Sequence, residues 1–220
     1  MADEALSLKR ALEFIKKEPT IILPYIFGLI IAAVIALLAA SSANEIMVAF
    51  HINAGTGITN SILRFIALLI VAILTNFFMV LAIFWQTFSS ADLVDTGKFS
   101  VRTALSDSFE TKGIILMIAI FISFVDIIIS FIPIVGGLVA SLFIIVAYVS
   151  IIVMNYNKKG LVRNITGMIT TLGDIYKKEP TTGLFLGLMM LLYIVPNSLL
   201  EEIILVIMVI YGSLVLKQVL

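Results

Sequence analysis

The sequence predicts an all-α polytopic integral membrane protein, with six transmembrane helices in three parallel repeats and both termini cytoplasmic. Three observations carry this. Hydrophobic residues make up 61% of the chain and charged residues 13%, at a mean hydropathy of +1.19. A soluble domain is about 45–50% apolar and about 25% charged, so water is a poor solvent for this composition and lipid a good one. Long apolar runs recur at the length of a bilayer. Thirteen of the fourteen Lys and Arg residues fall on one side of a six-span topology.

The runs are taken in order. About 20 apolar residues cross a hydrocarbon layer of roughly 30 Å. Spans are expected at residues 20–40, 62–88, 113–133, 137–154, 182–195 and 203–219. The fifth is short, which points to little tilt or a partly re-entrant path. The runs are continuously apolar without period-2 alternation, which disfavours a strand barrel. Lys9, Arg10, Lys16 and Lys17 before a run ending in Ala39-Ala40-Ser41-Ser42-Ala43 resemble a signal peptide. That run is longer than the usual 7–15 residues of a signal core and is read as a spanning helix.

Orientation follows from the positive-inside rule. The cytoplasmic side would hold Lys9, Arg10, Lys16, Lys17, Lys98, Arg102, Lys112, Lys158, Lys159, Arg163, Lys177, Lys178 and Lys217, leaving Arg64 outside. The outer connections are expected at Pro133-Ile134-Val135-Gly136-Gly137, at Pro196-Asn197-Ser198 and, longer, at residues 41–61, where a short helix fits. The localisation implied is the plasma membrane.

Between spans, residues 161–178 fit one amphipathic helix. Leu161, Val162, Ile165, Met168, Ile169, Leu172, Ile175 and Tyr176 share an arc, while Arg163, Thr170, Asp174 and Lys177 fill the other. Residues 5–17 behave alike and residues 98–110 more weakly. Such helices lie flat in the headgroup layer. Glu13-Phe14-Ile15-Lys16-Lys17-Glu18-Pro19-Thr20 matches Asp174-Ile175-Tyr176-Lys177-Lys178-Glu179-Pro180-Thr181, five consecutive residues being identical. The residue before Pro leaves the helical region and Pro opens the next helix. The paired Lys side chains suit a helix C-terminus beside anionic headgroups. The segment therefore acts as a corner, and residues 107–113 are a degenerate copy with Gly113 in the Pro position. The chain divides into repeats at 1–96, 97–157 and 158–220 within one membrane domain. Each repeat is a surface helix followed by a hairpin, so all copies keep one orientation.

Lys-rich amphipathic segments leading into Pro-led hairpins resemble the polytopic membrane domain attached to some glycerophosphodiester phosphodiesterases, and related prokaryotic membrane proteins. The resemblance covers most of the chain, is architectural, and has Lys-Lys-Glu-Pro-Thr as its residue anchor. The phosphodiesterase catalytic domain is absent from it, so it implies no activity.

Few residues carry candidate chemistry. Asp126 sits about 18 Å into the third span, where a carboxylate costs roughly 2.5–3.5 kcal/mol. Asn76 lies near the middle of the second span. The two fit a hydrogen-bonded pair, read either as a proton or cation site or as an interhelical bond. Glu201 and Glu202 open the last span, either as a cation-attracting mouth or as acids at a helix N-terminus. Arg64 is expected as their ion-pair partner or as an interfacial anchor. Gly183 and Gly187 form a G-x-x-x-G packing pattern, within one subunit or between subunits. Trp85, Tyr25 and Tyr156 are expected as interface anchors.

The chain contains no Cys and one His, His51, so thiol chemistry is excluded and no metal site or cofactor is expected. Zero net charge gives no sign of nucleic acid. The expected partners are the bilayer with its anionic headgroups and a further copy or membrane-complex subunit. Two non-enzymatic readings remain: a transporter or channel for an ion or small solute, and a membrane scaffold or complex subunit.

Overall fold

The computed structural model describes residues 6–49, 58–130, 132, 135–194 and 198–220. Among these, every regular element is a helix. They are α1 (Leu6–Lys17), a 3-10 turn (Pro19–Ile22), α2 (Leu23–Ala49), α3 (Ile58–Thr96), α4 (Val101–Glu110) and α5 (Lys112–Ser130). They continue with α6 (Gly136–Asn157), α7 (Leu161–Thr166), α8 (Met168–Lys178), α9 (Pro180–Tyr193) and α10 (Ser198–Val219). Five helical segments are long and apolar enough to cross a membrane: Pro19–Leu38, Phe65–Thr96, Lys112–Ile129, Gly136–Asn157 and Leu200–Val219. The chain has the build of a multi-pass helical membrane protein. Helix α9 has 14 residues, about 21 Å of rise, and falls short of that length.

Three helices form the centre. α3, α6 and α10 touch one another in every pairing. α2 leans on α3, α5 on α3 and α6, and α9 on α6 and α10. The dry core is built from Val80, Ile83 and Phe84 of α3, Ile145, Ile151 and Ile152 of α6, and Met208 and Val209 of α10. Large apolar side chains also cover the outside: Leu37 of α2 is 73% exposed and Met117 of α5 is 65% exposed. In water such a surface is an aggregation hazard; in lipid it is solvated.

The shorter helices sit at hairpin ends. α4 packs on α3, α7 on α6, and α1 on α10. Ser100 caps α4, its Oγ accepting from the Thr103 N–H at 3.3 Å. The two Lys-Lys-Glu-Pro-Thr segments share a backbone shape. Glu18 (φ −131°, ψ 72°) and Glu179 (φ −140°, ψ 91°) both leave the helical region. Each closes its preceding helix by donating its N–H, to Phe14 O at 2.8 Å and to Ile175 O at 2.7 Å. The middle corner differs: one residue, Thr111 (φ −91°, ψ 12°), joins α4 to α5.

Several boundaries depart from expectation. α2 runs on to Ala49, into the expected outer connection, and α3 extends to Thr96 past the expected end at 88. The surface helix expected over 161–178 is two helices that meet at Gly167. Its apolar arc is divided too: Met168 and Ile175 are buried, while Ile169 is 87% exposed. His51 and the outer turn residues Pro133, Ile134, Pro196 and Asn197 lie outside the described residues. Tyr25 and Trp85 are not interface anchors. Both are buried, and the Trp85 indole N–H donates to Val101 O at 2.9 Å, tying α3 to α4.

Candidate functional site

Polar side chains inside an apolar bundle collect where helices meet, because there each finds a partner. Asn76 of α3 donates from Nδ2 to Ser123 Oγ of α5 at 2.9 Å, and its Oδ1 accepts from the Tyr148 hydroxyl of α6 at 3.0 Å. One amide thus joins three helices. Asp126, half-buried, lies one turn along α5 from Ser123 and is in electrostatic reach of Tyr148 and Tyr193. Asp126 and Asn76 therefore converge on Tyr148.

Glu201 and Glu202 stand in the first turns of α10, half-buried and exposed respectively. Both act on Tyr193 at the end of α9, and Glu202 also acts on Tyr148 and Tyr25. Arg64 belongs to α3, and its expected ion pair falls outside the described side chains.

Toward the other end of the bundle a second polar group begins at Tyr25. Its backbone N–H donates to Gln86 Oε1 at 3.3 Å, and Gln86 Nε2 donates to Ser90 Oγ at 3.2 Å. Ser90 and Ser213 share a hydroxyl–hydroxyl bond of 2.7 Å. The Tyr156 hydroxyl donates to Ser213 O at 3.0 Å, and Asn155 Nδ2 donates to Thr87 Oγ1 at 2.7 Å. Lys217 closes this end, 2.9 Å from Asp95 and 5.9 Å above the Tyr156 ring. Tyr25 links the two groups, since its hydroxyl lies in electrostatic reach of Tyr148, Tyr193 and Glu202. That hydroxyl is buried and has no hydrogen-bond partner among the described residues. A buried donor left without a partner costs about 1–3 kcal/mol. Hydrogen bonds thus join Asn76, Ser123 and Tyr148 in one polar group and Tyr25, Gln86, Ser90 and Ser213 in a second, with the Lys217–Asp95 pair beyond it.

Compared with protein-family models, with curated proteins and with solved structures, the chain matches none.

The remaining expected residues lie elsewhere. A Cβ added at Gly183 would stand 2.7 Å from Tyr176 Cα of α8, whereas open space faces Gly187. The glycine pair does not form one packing face: only Gly183 makes a close approach, and it is to the corner helix. Lys16, Lys17 and Lys177 are exposed, and Lys177 lies 3.8 Å from Asp174, a surface pair of small value. Lys178 Nζ donates to Val219 O at 2.9 Å. Glu179 accepts from Ser7 Oγ and, at 2.9 Å, from Thr182 Oγ1. Glu18 is half-buried, and Pro19 and Pro180 each open the helix that follows. Among the described residues no three of His, Cys, Asp and Glu come together as a metal-binding group.

Sequence reasoning found Asp126, Asn76 and the two glutamates but missed Ser123, Tyr148, Tyr193, Gln86, Ser90 and Ser213. Gln86 carried the strongest available signal, an amide inside an apolar run. Serines and tyrosines are common in spans, so one alone says little.

Proposed function

We propose that the protein is a non-enzymatic transporter or channel for protons or a small cation in the plasma membrane. Six spans in three repeats carry it, with both termini cytoplasmic. The observation behind the transport reading is the pair of polar groups buried among the helices. Glu202 and an intramembrane acid are in electrostatic reach of the first, and the second includes Tyr25, whose buried hydroxyl has no hydrogen-bond partner among the described residues. Such a hydroxyl is where a water or a hydrated ion is held. Asp126 supplies the exchangeable proton or the fixed negative charge.

The distribution of Lys and Arg supports the orientation. The repeat reading is supported by the matched corners at Glu18 and Glu179 and by the placement of the short helices. α4 and α7 pack on the second span of the unit before them, α3 and α6, and α1 packs on the second span of the last unit, α10. Helix α9 serves as the fifth span by drawing the bilayer thinner around it. The architectural resemblance to the membrane domain of some glycerophosphodiester phosphodiesterases adds no activity.

A scaffold or complex subunit is the second reading. It is favoured by Gln86, Ser90, Ser213, Tyr156 and Thr87, which take part in bonds between helices that clamp the bundle. Reconstitution decides between the two. Purified protein in liposomes carrying a pH-sensitive dye should pass protons or an alkali cation faster than empty liposomes. Asp126→Asn should slow this about tenfold or more, the effect of roughly 1.4 kcal/mol of added barrier. Wild-type flux equal to that of empty liposomes across a broad ion panel would sink transport and leave the scaffold.

A further inference from the structure

Among the described residues three grooves open on the outside of the bundle, two between a hairpin and the short helix that follows it and one between the last hairpin and α1. One is formed by α2, α3 and α4, at about 240 Å³; a second by α9, α10 and α1, at about 490 Å³. Their linings carry no charged side chain. The third, about 460 Å³, lies among α3, α5, α6 and the start of α7. Its lining takes in Phe84, Phe88, Met117 and Met154, and the exposed Lys158 and Lys159 stand at its mouth. That volume falls within the roughly 300–1,000 Å³ of small-molecule sites, which pair apolar walls with a few placed polar groups.

The lysines are held there by the backbone. Lys158 ends α6 in the left-handed region, φ 56°, and donates its N–H to Met154 O at 2.9 Å. Glycine is the cheaper residue for that conformation. An asparagine pair pins the turn that follows. Asn157 Nδ2 donates to Asn164 Oδ1 at 2.8 Å, Asn157 Oδ1 accepts from the Lys159 N–H at 2.8 Å, and Asn164 Nδ2 donates to Lys159 O at 3.1 Å. The backbone of the two lysines is thus fixed at one end of the groove, and both side chains are exposed there.

We propose that this groove is a binding site for one anionic phospholipid, with an acyl chain along Phe84, Phe88, Met117 and Met154 and the headgroup phosphate between Lys158 and Lys159. The charge of the mouth selects the occupant, and the two uncharged grooves are the internal controls. Basic clusters beside spanning helices recognise anionic headgroups in this way. The site stands whether or not the bundle transports.

The test uses the full chain in mixed micelles, with bound lipid counted by native mass spectrometry. Phosphatidylglycerol is titrated against phosphatidylcholine of the same acyl chains, and glycerol phosphate supplies a headgroup without a chain. One phosphatidylglycerol should be retained in preference to phosphatidylcholine, and glycerol phosphate should neither bind tightly nor displace it. Lys158→Gly removes a charge while suiting the backbone, and it should weaken retention about fivefold. Lys158→Gly with Lys159→Gln should weaken it about ten- to thirtyfold. Met117→Trp, which fills the trough, should displace the lipid with both lysines intact. The proposal is overturned if the two lipids bind equally, or if glycerol phosphate competes fully. It is equally overturned if the double lysine variant loses no more than Lys16→Gln with Lys17→Gln.

Discussion

Gly28 shows how much a single position can decide. A Cβ placed there would stand 2.2 Å from Ala82 Cβ and 2.9 Å from Ala82 Cα, so α2 and α3 meet with no room for a methyl group. Lipid gives helices little hydrophobic reason to associate, and close approach through small residues is what holds them. Gly28→Ala should lower bundle stability by about 1–3 kcal/mol, the usual penalty of overpacking. Ala82→Gly in the same chain should recover part of the loss, as read from unfolding midpoints in detergent. Gly183→Ala should likewise cost more than Gly187→Ala, since only the first meets a backbone. Legibility at this scale was partial. Asn76 and Asp126 stood out because polar groups are rare in apolar runs. Their meeting at Tyr148, and Ser90 with Ser213, depend on how three helices are rotated about their axes, which no single segment encodes.

Among the elements, the two Lys-Lys-Glu-Pro-Thr corners have one sequence and one backbone shape but different surroundings. Glu179 holds Ser7 of α1 and Thr182 of α9, and Ser7 and Thr182 are themselves 2.8 Å apart. The Tyr211 hydroxyl donates to Leu8 O, and Gln218 Nε2 donates to Ser7 O at 3.3 Å. Helix α1 is therefore fastened to the final hairpin. Glu179→Ala removes an acceptor worth about 1.5–3 kcal/mol when charged. It should raise amide hydrogen exchange across α1 well above the effect of Glu18→Ala. Helix positions were legible because apolar length and Pro placement are local signals. The break at Gly167 was not. Apolar periodicity runs straight through it, and the interruption shows only in the geometry: a Cβ there would come within 2.9 Å of Arg163 O.

For the whole molecule, topology is the property most open to measurement. The chain has no Cys, so a single introduced thiol reports one position against a silent background. Thiols at Lys98, Lys159 and Lys217 should react with an impermeant maleimide only from the cytoplasmic side, and one at Glu202 only from outside. Labelling of Lys217 and Glu202 from the same side would remove the six-span arrangement. The multi-pass helical class was legible because bilayer thickness dictates segment length. The central triad α3, α6 and α10 was not, because lipid-facing and core-facing spans are equally apolar: Met117 at 65% exposure and Ile152 at 0% look alike in sequence.

The fastening of α1 to α10 has a bearing on assembly in the cell. Ser7 and Gln218, bonded in the finished protein, are 211 residues apart. At about 5–20 residues per second that is roughly 10–40 s of synthesis. The first helix made must wait on the membrane surface, its polar contacts open, until the last has been inserted. A ribosome stalled before α10 would leave that helix available to any passing quality-control factor.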